Sequence, residues 1–191
     1  MSGILLSGTE VMREYGGPKE QLQAAKAADA SADELRHLSQ SEFVFVREAV
    51  ASNLNTPEDV LTALTPAFLA SKDDYRIALA LVRNPALRVS LCYTIGDLIA
   101  ASIGGITPRD YYPTKLVDAF VRSVLVPVES LVALANPASV PKHIRRRIAV
   151  KETRSELLSK LLEDPSEKVR ARARRALDTK KEEHNERPPT N

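Results

Sequence analysis

Proline residues divide this chain into short segments, and this punctuation limits the folds that the chain can adopt. The sequence has 191 residues, of which 12 are proline. Proline is tolerated in the first turn of an α-helix and disfavoured in its interior, so a proline between two apolar-periodic segments indicates a helix boundary. Nine prolines occupy such positions: Pro57, Pro66, Pro85, Pro108, Pro113, Pro127, Pro137, Pro141 and Pro165. The chain is therefore expected to form many short helices.

The apolar residues between these prolines recur with the period of a helix rather than that of a strand. No segment alternates convincingly with a period of two, and Val44-Phe45-Val46 is too short to outweigh its helical surroundings. The predicted helices cover residues 18–28, 32–39, 43–53, 57–69, 72–83, 86–103, 114–126, 128–135, 140–150, 154–163 and 166–178. The predicted fold class is all-α.

Distant segments of the chain repeat one pattern. A constant shift of 123 residues aligns four positions: Leu35 with Leu158, Leu38 with Leu161, Val46 with Val169, and Arg47 with Arg170. A shift of 29 residues aligns Arg47 with Arg76. Each unit is a short helix with a Leu-x-x-Leu stripe, a turn, and a second helix that opens with an apolar residue and an arginine. Because such amphipathic pairs bury their apolar sides by stacking, the pattern predicts an α-solenoid.

The repeated segments resemble known helical repeats. The stretch 161–170, followed by Ala173, Ala176 and Leu177, resembles a HEAT-type repeat. Residues 46–61, which run from Val46-Arg47 through Asn53 to Thr56-Pro57, are similar to the leucine-rich-repeat variant family. The resemblance covers residues 32–84 and 128–178. It implies a short right-handed superhelix of stacked antiparallel helix pairs.

One HEAT-like domain is expected over residues 1–178, with an irregular middle at 86–125. The charged segment 179–191, which contains Pro188-Pro189, is expected to be a disordered tail. One variant-repeat protein is associated with an iron–sulfur cluster, but such a cluster needs several cysteines and this chain has only Cys92. The sequence therefore predicts no cofactor.

Basic residues are concentrated towards the C-terminus. Residues 1–139 hold 12 Lys and Arg against 16 Asp and Glu, whereas residues 140–181 hold 14 against 6. A basic end of this kind attracts phosphates or an acidic protein. The candidate partner-binding or phosphate-binding residues are Lys142, Arg145, Arg146, Arg147, Arg170 and Arg174. On the last helix Arg170 and Arg174 fall on one flank and Arg172 and Arg175 on the other, which favours a solvated polar cap over a single phosphate-binding stripe.

An arginine follows the apolar residue that opens several units. Arg47, Arg76 and Arg170 occupy this position. One interpretation is a row of phosphate contacts. The favoured interpretation is structural: each arginine bonds turn carbonyls or acids of a neighbouring unit, because the residue recurs at one position of the repeat.

Few residues indicate chemistry. Asp73-Asp74 precedes a predicted helix and is expected to cap it. Cys92 lies in an apolar helix and is expected to be a buried, unreactive thiol. The histidines His37, His143 and His184 lack the spacing of metal ligands, so no metal site is predicted. Arg109, Asp110, Tyr111 and Tyr112 form the one compact polar and aromatic group on a predicted loop and are kept as a weaker site candidate.

The leading functional hypothesis is a non-catalytic module or scaffold that presents one side of a HEAT-like solenoid to a protein partner. One alternative is nucleic-acid binding through the basic end at 142–175, and another is a regulator of a neighbouring enzyme. A third is a HEAT-like DNA glycosylase; the family surrounds its lesion with aromatic residues beside a catalytic Asp. This chain has no Trp and no matching cluster. No enzyme is therefore expected and no catalytic residue is assigned.

The N-terminus has no basic region followed by an apolar core, which a signal peptide requires. The most apolar stretch, residues 89–103, contains Asp97 and is short for a membrane span. A cytoplasmic protein that does not enter the membrane is expected.

Overall fold

The computed structural model describes residues 15–105, 107, 109–151 and 154–185. These residues form eleven α-helices and two 3-10 helices, at Ile103–Gly105 and Ala133–Ala135, and no strand occurs among them. The α-helices are α1 (Pro18–Lys26), α2 (Ala32–Leu38), α3 (Val44–Ser52), α4 (Glu58–Leu64), α5 (Lys72–Arg83), α6 (Val89–Ser102), α7 (Tyr111–Arg122), α8 (Val128–Val132), α9 (Lys142–Lys151), α10 (Ser155–Leu161) and α11 (Glu167–Asn185). The all-α prediction is confirmed, and each predicted helix has a counterpart.

Serine capping boxes fix the start of two helices. At α2 the Ser31 hydroxyl accepts a hydrogen bond from the Glu34 N–H, and the Glu34 carboxylate accepts one from the Ser31 N–H at 2.8 Å. Ser71 and Asp74 repeat this arrangement at the start of α5. Each box satisfies two N–H groups that a helix end otherwise leaves unpaired. The prediction that Asp73-Asp74 caps a helix is confirmed, with Asp74 as the capping residue.

The chain divides within α6 into two compact units, Met1–Ile95 and Gly96–Asn191. In the first unit α3 packs on both α1 and α5, and it also contacts α2 and α4. Leu35, Leu38, Val46 and Val50 are fully buried at the centre of this unit. The apolar stripes of its short helices therefore meet in one shared core.

The second unit follows the same order of contacts. Helix α9 packs on both α7 and α11, and α10 contacts α8, α9 and α11. Phe120, Leu131, Ile144 and Leu158 are among its fully buried side chains. In each unit the odd-numbered helices thus pack in succession on their second neighbours along the chain.

The aligned repeat positions have matching environments. Leu35 and Leu158 are fully buried, as are Val46 and Val169. The two residues of each aligned pair are therefore both core residues, each in its own unit. This agreement supports the 123-residue shift that aligns the two segments.

Asparagines at the ends of α3 and α5 tie each helix to the one on which it packs. The Asn53 Nδ2 donates to the carbonyl oxygens of Ala25 and Ala27, both at 2.9 Å. The Asn84 Nδ2 donates likewise to Ala51 at 2.9 Å and to Asn53 at 3.0 Å. Each side-chain oxygen also accepts from the N–H two residues later. The four bonds satisfy carbonyl groups that helix ends leave without intrahelical partners.

The start of α7 differs from the sequence prediction. Tyr111 and Tyr112 were expected in a loop, with a helix from residue 114, but α7 begins at Tyr111. Pro113 is therefore in the first turn, where its missing N–H costs no helical hydrogen bond. The Thr114 hydroxyl donates to the Asp110 carbonyl oxygen at 2.6 Å, which further closes this turn.

The end of the last helix also differs from the prediction. The segment 179–191 was expected to be disordered, but α11 continues to Asn185. Lys180, Lys181 and Glu182 are good helix formers, so the charge of this segment does not prevent helix formation. The Lys180 Nζ also donates to the Ser155 Oγ at 2.9 Å. Residues 186–191 of the predicted tail lie outside the described residues.

Two smaller expectations concern Cys92 and the membrane. Cys92 is fully buried, as predicted, and burial raises the pKa of its thiol. Within the described ranges, no helix combines the length and the apolar character needed to cross a lipid bilayer.

Candidate binding surfaces

The basic residues of the second unit fall into two sets. Those of the first set form ion pairs and hydrogen bonds with other residues of the protein. Arg145 is almost completely buried against Asp164; their side chains are 6% and 1% exposed. The Arg145 Nε donates to Asp164 Oδ2 at 2.6 Å and its Nη2 to Oδ1 at 3.1 Å. Its remaining terminal nitrogen donates to the Val140 carbonyl oxygen. Arg145 is a phosphate-binding candidate in the sequence, but in the structure it faces the interior and links α9 to the turn before α11.

Asp164 is held in its charged form by these contacts. Burial on its own raises the pKa of this carboxyl, but hydrogen bonds from Arg145 and from the Ser166 N–H, with the nearby Arg170 charge, outweigh it. The pKa of Asp164 consequently lies below its usual value. A buried carboxylate that is both paired and hydrogen-bonded in this way is a structural group.

Arg147 forms a second internal ion pair, and this pair recurs in the other unit. Two nitrogens of Arg147, on α9, donate to both carboxylate oxygens of Asp118, on α7. In the first unit Arg76, on α5, donates through Nε at 3.1 Å and Nη2 at 2.5 Å to Glu48, on α3. The pKa of the Arg147 guanidinium is raised because hydrogen bonding to Asp118 outweighs partial burial. Both pairs join consecutive odd-numbered helices.

The arginines at the shared repeat position bind turn carbonyls. The Arg47 Nη1 donates to the Ser41 carbonyl oxygen at 2.6 Å, and the Arg170 Nη1 donates to the Asp164 carbonyl oxygen at 2.7 Å. Each acceptor lies six residues before its arginine. Together with the Arg76 pair, these bonds are the turn and acid contacts that the structural interpretation of the recurring arginine predicts.

The second set of basic residues is exposed and forms what we call the basic face. It consists of Arg146 on α9 and Lys168, Arg172 and Arg175 on α11, all exposed to solvent. Among the described residues, none of the four forms an ion pair with a carboxylate. Lys142, another predicted contact, is exposed one turn before Arg146 on α9.

The residues of the basic face line two neighbouring clefts. A cleft of about 410 Å³ is lined by His143, Arg146 and Arg147 of α9, by Arg172 of α11 and by Thr114 of α7, with Ile144 and Val150 as its apolar wall. A smaller cleft of about 290 Å³ is lined by Arg146, Lys168, Ala171, Arg172 and Arg175. Arg146 and Arg172 line both clefts. The two clefts therefore form one continuous basic surface between α9 and α11.

The clefts agree with the two flanks that the helical period predicts for α11, with Arg172 and Arg175 on one and Arg170 and Arg174 on the other. The choice between a solvated cap and a phosphate-binding stripe stays a prediction. Lys168, Arg172 and Arg175 have the spacing i, i+4, i+7 and line one cleft, so one flank of α11 is a basic stripe. Arg174 is exposed but lines neither cleft. The i, i+4, i+7 spacing is the sequence signal that could have identified Lys168 and Arg175.

His143 Nε2 is a buried polar atom beside the larger cleft. Among the described residues, the buried side-chain atoms without a hydrogen-bond partner are His143 Nε2 and Ser130 Oγ. Because the Nε2 atom is covered, it offers no contact to a ligand in this conformation. No group of three or more His, Cys, Asp or Glu side chains that could hold a metal occurs in the part of the chain that the structure describes.

The polar and aromatic group at 109–112 sits at the start of α7. The rings of Tyr111 and Tyr112 meet edge to face, with centroids 5.2 Å apart, and the Lys115 Nζ lies 5.4 Å from the centre of the Tyr111 ring. Asp110 Oδ2 accepts from the Thr107 N–H at 2.6 Å. Arg109 is exposed. The Asp110 and Tyr contacts are internal to the turn and the first turn of the helix, and none of the described clefts is lined by these residues.

The first unit has a different surface, which we call the apolar groove. It has a volume of about 540 Å³ and runs between α1 and α3, into the turn after α3. Its apolar lining includes Leu22, Phe45 and Leu54, of which Phe45 is 36% and Leu54 64% exposed. Lys26 and Glu48 supply one charge of each sign. The sequence gives no signal for this groove, since Leu22 of α1 joins Phe45 and Leu54 only when α1 and α3 pack.

Comparison of the chain with protein-family models, with curated proteins and with solved structures finds no match.

Proposed function

We propose that this protein is a non-catalytic protein-interaction module built as a short HEAT-like α-solenoid. Three observations support the solenoid: the succession of odd-numbered helices within each unit, the asparagine ties that repeat from α3 to α5, and the matching environments of the aligned repeat positions. Side chains held in rows on such a scaffold suit a partner that binds along a surface.

The observation that carries the interaction function is the apolar groove. Large apolar side chains exposed together along a concave surface are typical of interaction sites, whereas single exposed apolar residues are common on any protein. The exposed Phe45 and Leu54 line the groove, and Phe45 is held by stacking on Phe43 with ring centroids 5.5 Å apart. The partner that fits is a peptide segment with apolar anchors and an acidic residue to meet Lys26, since Glu48 is already paired with Arg76.

The non-catalytic assignment rests on the structural role of the charged side chains, which form ion pairs between elements of the fold. The buried pair Arg145–Asp164, the pair Arg147–Asp118 and the pair Arg76–Glu48 each join structural elements. The buried thiol of Cys92 fits the reducing compartment expected for a cytoplasmic protein.

A peptide-display selection against the full chain tests this proposal. Selected peptides are expected to bind at least about tenfold less tightly to Leu54→Asp and to Phe45→Asp, because a charge in the groove opposes the burial of apolar anchors. Val124→Asp is the matched control, since Val124 is 95% exposed and lies in the second unit. Circular dichroism checks that each variant is folded. Peptides that bind all three variants as they bind the unmodified chain would overturn the groove as the interaction site.

A further inference from the structure

We propose that the basic face of the second unit binds the phosphate backbone of a nucleic-acid duplex. This inference does not depend on the apolar groove, because the residues that carry it lie on α9 and α11. It rests on the separation of the basic residues into an internal set and an exposed set that has no ion pair within the described part of the chain.

The exposed set is available to a ligand because three acids of this unit are paired with other arginines. Asp118 is bound by Arg147, and Asp164 is bound by Arg145. Glu167 is paired with Arg170 on the opposite flank of α11. The four exposed cations, Arg146, Lys168, Arg172 and Arg175, thus have no carboxylate partner among the described residues. Arginine presents a planar fork of donors that matches phosphate oxygens, so this group of cations is suited to a chain of phosphates.

The spacing of the cations fits a regular polyanion. Lys168, Arg172 and Arg175 follow one flank of α11, and a helix rises about 1.5 Å per residue, so they extend over about 10 Å. One strand of a DNA duplex advances about 3.4 Å per nucleotide, so this length corresponds to about three phosphates. Arg146 faces the same clefts from α9. The four side chains can thus contact neighbouring phosphates along one edge of a groove.

The chemistry of the clefts favours nucleic acid over an acidic protein. The centre of a protein–protein interface is apolar and depleted in charge, whereas protein–DNA interfaces are polar and strongly positive. The smaller cleft has only Ala171 besides its four cations. No Phe, Tyr or Trp ring lines either cleft within the described residues. Single-stranded nucleic acids are usually held by stacking on such rings, so a duplex bound through its backbone is the better match.

Fluorescence anisotropy with a labelled mixed-sequence DNA duplex of about 20 base pairs and the full chain tests the inference. Four phosphate contacts predict a slope of log K against log salt near −3.6, or about 150-fold weaker binding when salt rises about fourfold. Arg172→Ala and Arg146→Ala are each expected to make the slope shallower by about one. Arg174→Ala, an exposed arginine on the same helix that lines neither cleft, is the matched control and should leave the slope unchanged.

The outcomes separate the alternatives. Equal slopes for Arg172→Ala and Arg174→Ala, or binding that does not respond to salt, would overturn the basic face as the phosphate site. If labelled poly-glutamate binds as tightly as the duplex or more tightly, the ligand of the basic face is an acidic protein and the proposal is overturned. Tighter binding of the corresponding single strand would refute the duplex. Leu54 lies in the apolar groove, so Leu54→Asp is expected to bind the duplex as the unmodified chain does. The peptide site and the duplex site can therefore fail independently of each other.

Discussion

The side-chain amide of Asn84 donates a hydrogen bond to the backbone carbonyl of Asn53 at 3.0 Å, and Asn53 binds the end of α1 in the same manner. One asparagine is thus the donor in one link and, through its backbone, the acceptor in the next. The end of α5 is fixed to the end of α3, and the end of α3 to the end of α1. Helix ends, rather than only apolar surfaces, set the alignment of these three helices.

The first prediction concerns this link. Asn84→Ala removes the donor to Ala51 and Asn53 at a site where Asn84 is 1% exposed, so the Ala51 carbonyl loses this bond while the Asn53 carbonyl keeps its bond from the Thr56 N–H. The variant should unfold in urea with a free energy lower by about 1–3 kcal/mol, because an unsatisfied buried group is costly. Asn55→Ala is the control: Asn55 makes similar bonds to Ala28 and Ala30 but is exposed, and should cost less than about 1 kcal/mol. Equal losses would contradict the link.

The second prediction concerns pH. The folded-state pKa of Asp164 is lowered, so its contribution to stability is fully present above its unfolded pKa of about 3.9 and is lost as pH falls through the folded value. Asp164→Asn leaves Arg145 buried and unpaired and should cost about 3–5 kcal/mol at pH 7. The difference from the unmodified chain should shrink below about pH 4, measured by urea unfolding across pH.

An exposed ion pair provides the control for this pH experiment. Asp59 also has a lowered pKa, because Arg36 hydrogen-bonds to it, but its side chain is 61% exposed. Asp59→Asn should cost less than about 1 kcal/mol at pH 7, since water screens such pairs. A comparable loss from both variants would show that the burial of Asp164 is not the deciding factor.

The third prediction separates two arginines of α11 by their tasks. Arg170→Ala loses the bond to the Asp164 carbonyl and should lower the free energy of unfolding by about 1 kcal/mol, with little effect on the salt dependence of duplex binding. Arg172→Ala should leave the free energy of unfolding nearly unchanged and make the salt dependence of duplex binding shallower, because Arg172 is exposed and lines both clefts. Thermal unfolding and anisotropy of the two variants measure the two effects. A loss of stability in Arg172→Ala equal to that in Arg170→Ala would argue against the division.

The fourth prediction concerns the thiol. Cys92 is fully buried and burial raises its pKa, so both access and thiolate content are reduced. A thiol reagent at pH 7.5 should modify native Cys92 at least about 100-fold more slowly than the urea-unfolded chain. Val124→Cys in a Cys92→Ala background is the control, since position 124 is 95% exposed and should react rapidly in the folded state. Similar native rates for the two thiols would disprove the burial.

The fifth prediction concerns a glycine in α6. A Cβ atom at Gly96 would lie 3.2 Å from Phe120 Cζ and 3.4 Å from Ser130 Cβ. Phe120 is fully buried, so Gly96→Val should overpack this site and lower the free energy of unfolding by about 1–3 kcal/mol. Nothing lies within 4 Å of a Cβ built at Gly104, so Gly104→Val should have a smaller effect. Urea unfolding of both variants makes the comparison.

The sequence contained enough local information to locate the helices. Prolines mark their boundaries, and the apolar period identifies the buried positions, as at Leu35 and Leu158. The predicted start of α7 at residue 114 is too late, because Pro113 fits the first turn of the helix and is not its boundary. The predicted end of α11 at residue 178 is too early, because Lys and Glu are good helix formers despite their charge.

The candidate surfaces could be predicted only in part, because the pairing of charges depends on which helices pack together. Arg145, Arg146 and Arg147 are consecutive, yet one is buried against Asp164, one lines both clefts and one binds Asp118. Composition does not distinguish them. The helical period does: neighbours lie 100° apart, so three consecutive arginines must face three directions. Their partners, 19 and 29 residues away in the chain, become apparent only in the folded protein.

The asparagine and arginine links described here have a kinetic consequence. Apart from the arginine bonds to nearby turn carbonyls, they join groups separated by 19 to 33 residues, as in the bonds of Arg145 to Asp164 and of Asn84 to Ala51. Because loop-closure entropy grows with loop length, links of this span cost less to form than links between the distant ends of the chain, and proteins rich in local contacts fold faster. Each helix can acquire its partner soon after it leaves the ribosome, without waiting for distant parts of the chain. Refolding from urea should therefore be fast, with any slow phase attributable to isomerisation of the many prolyl bonds.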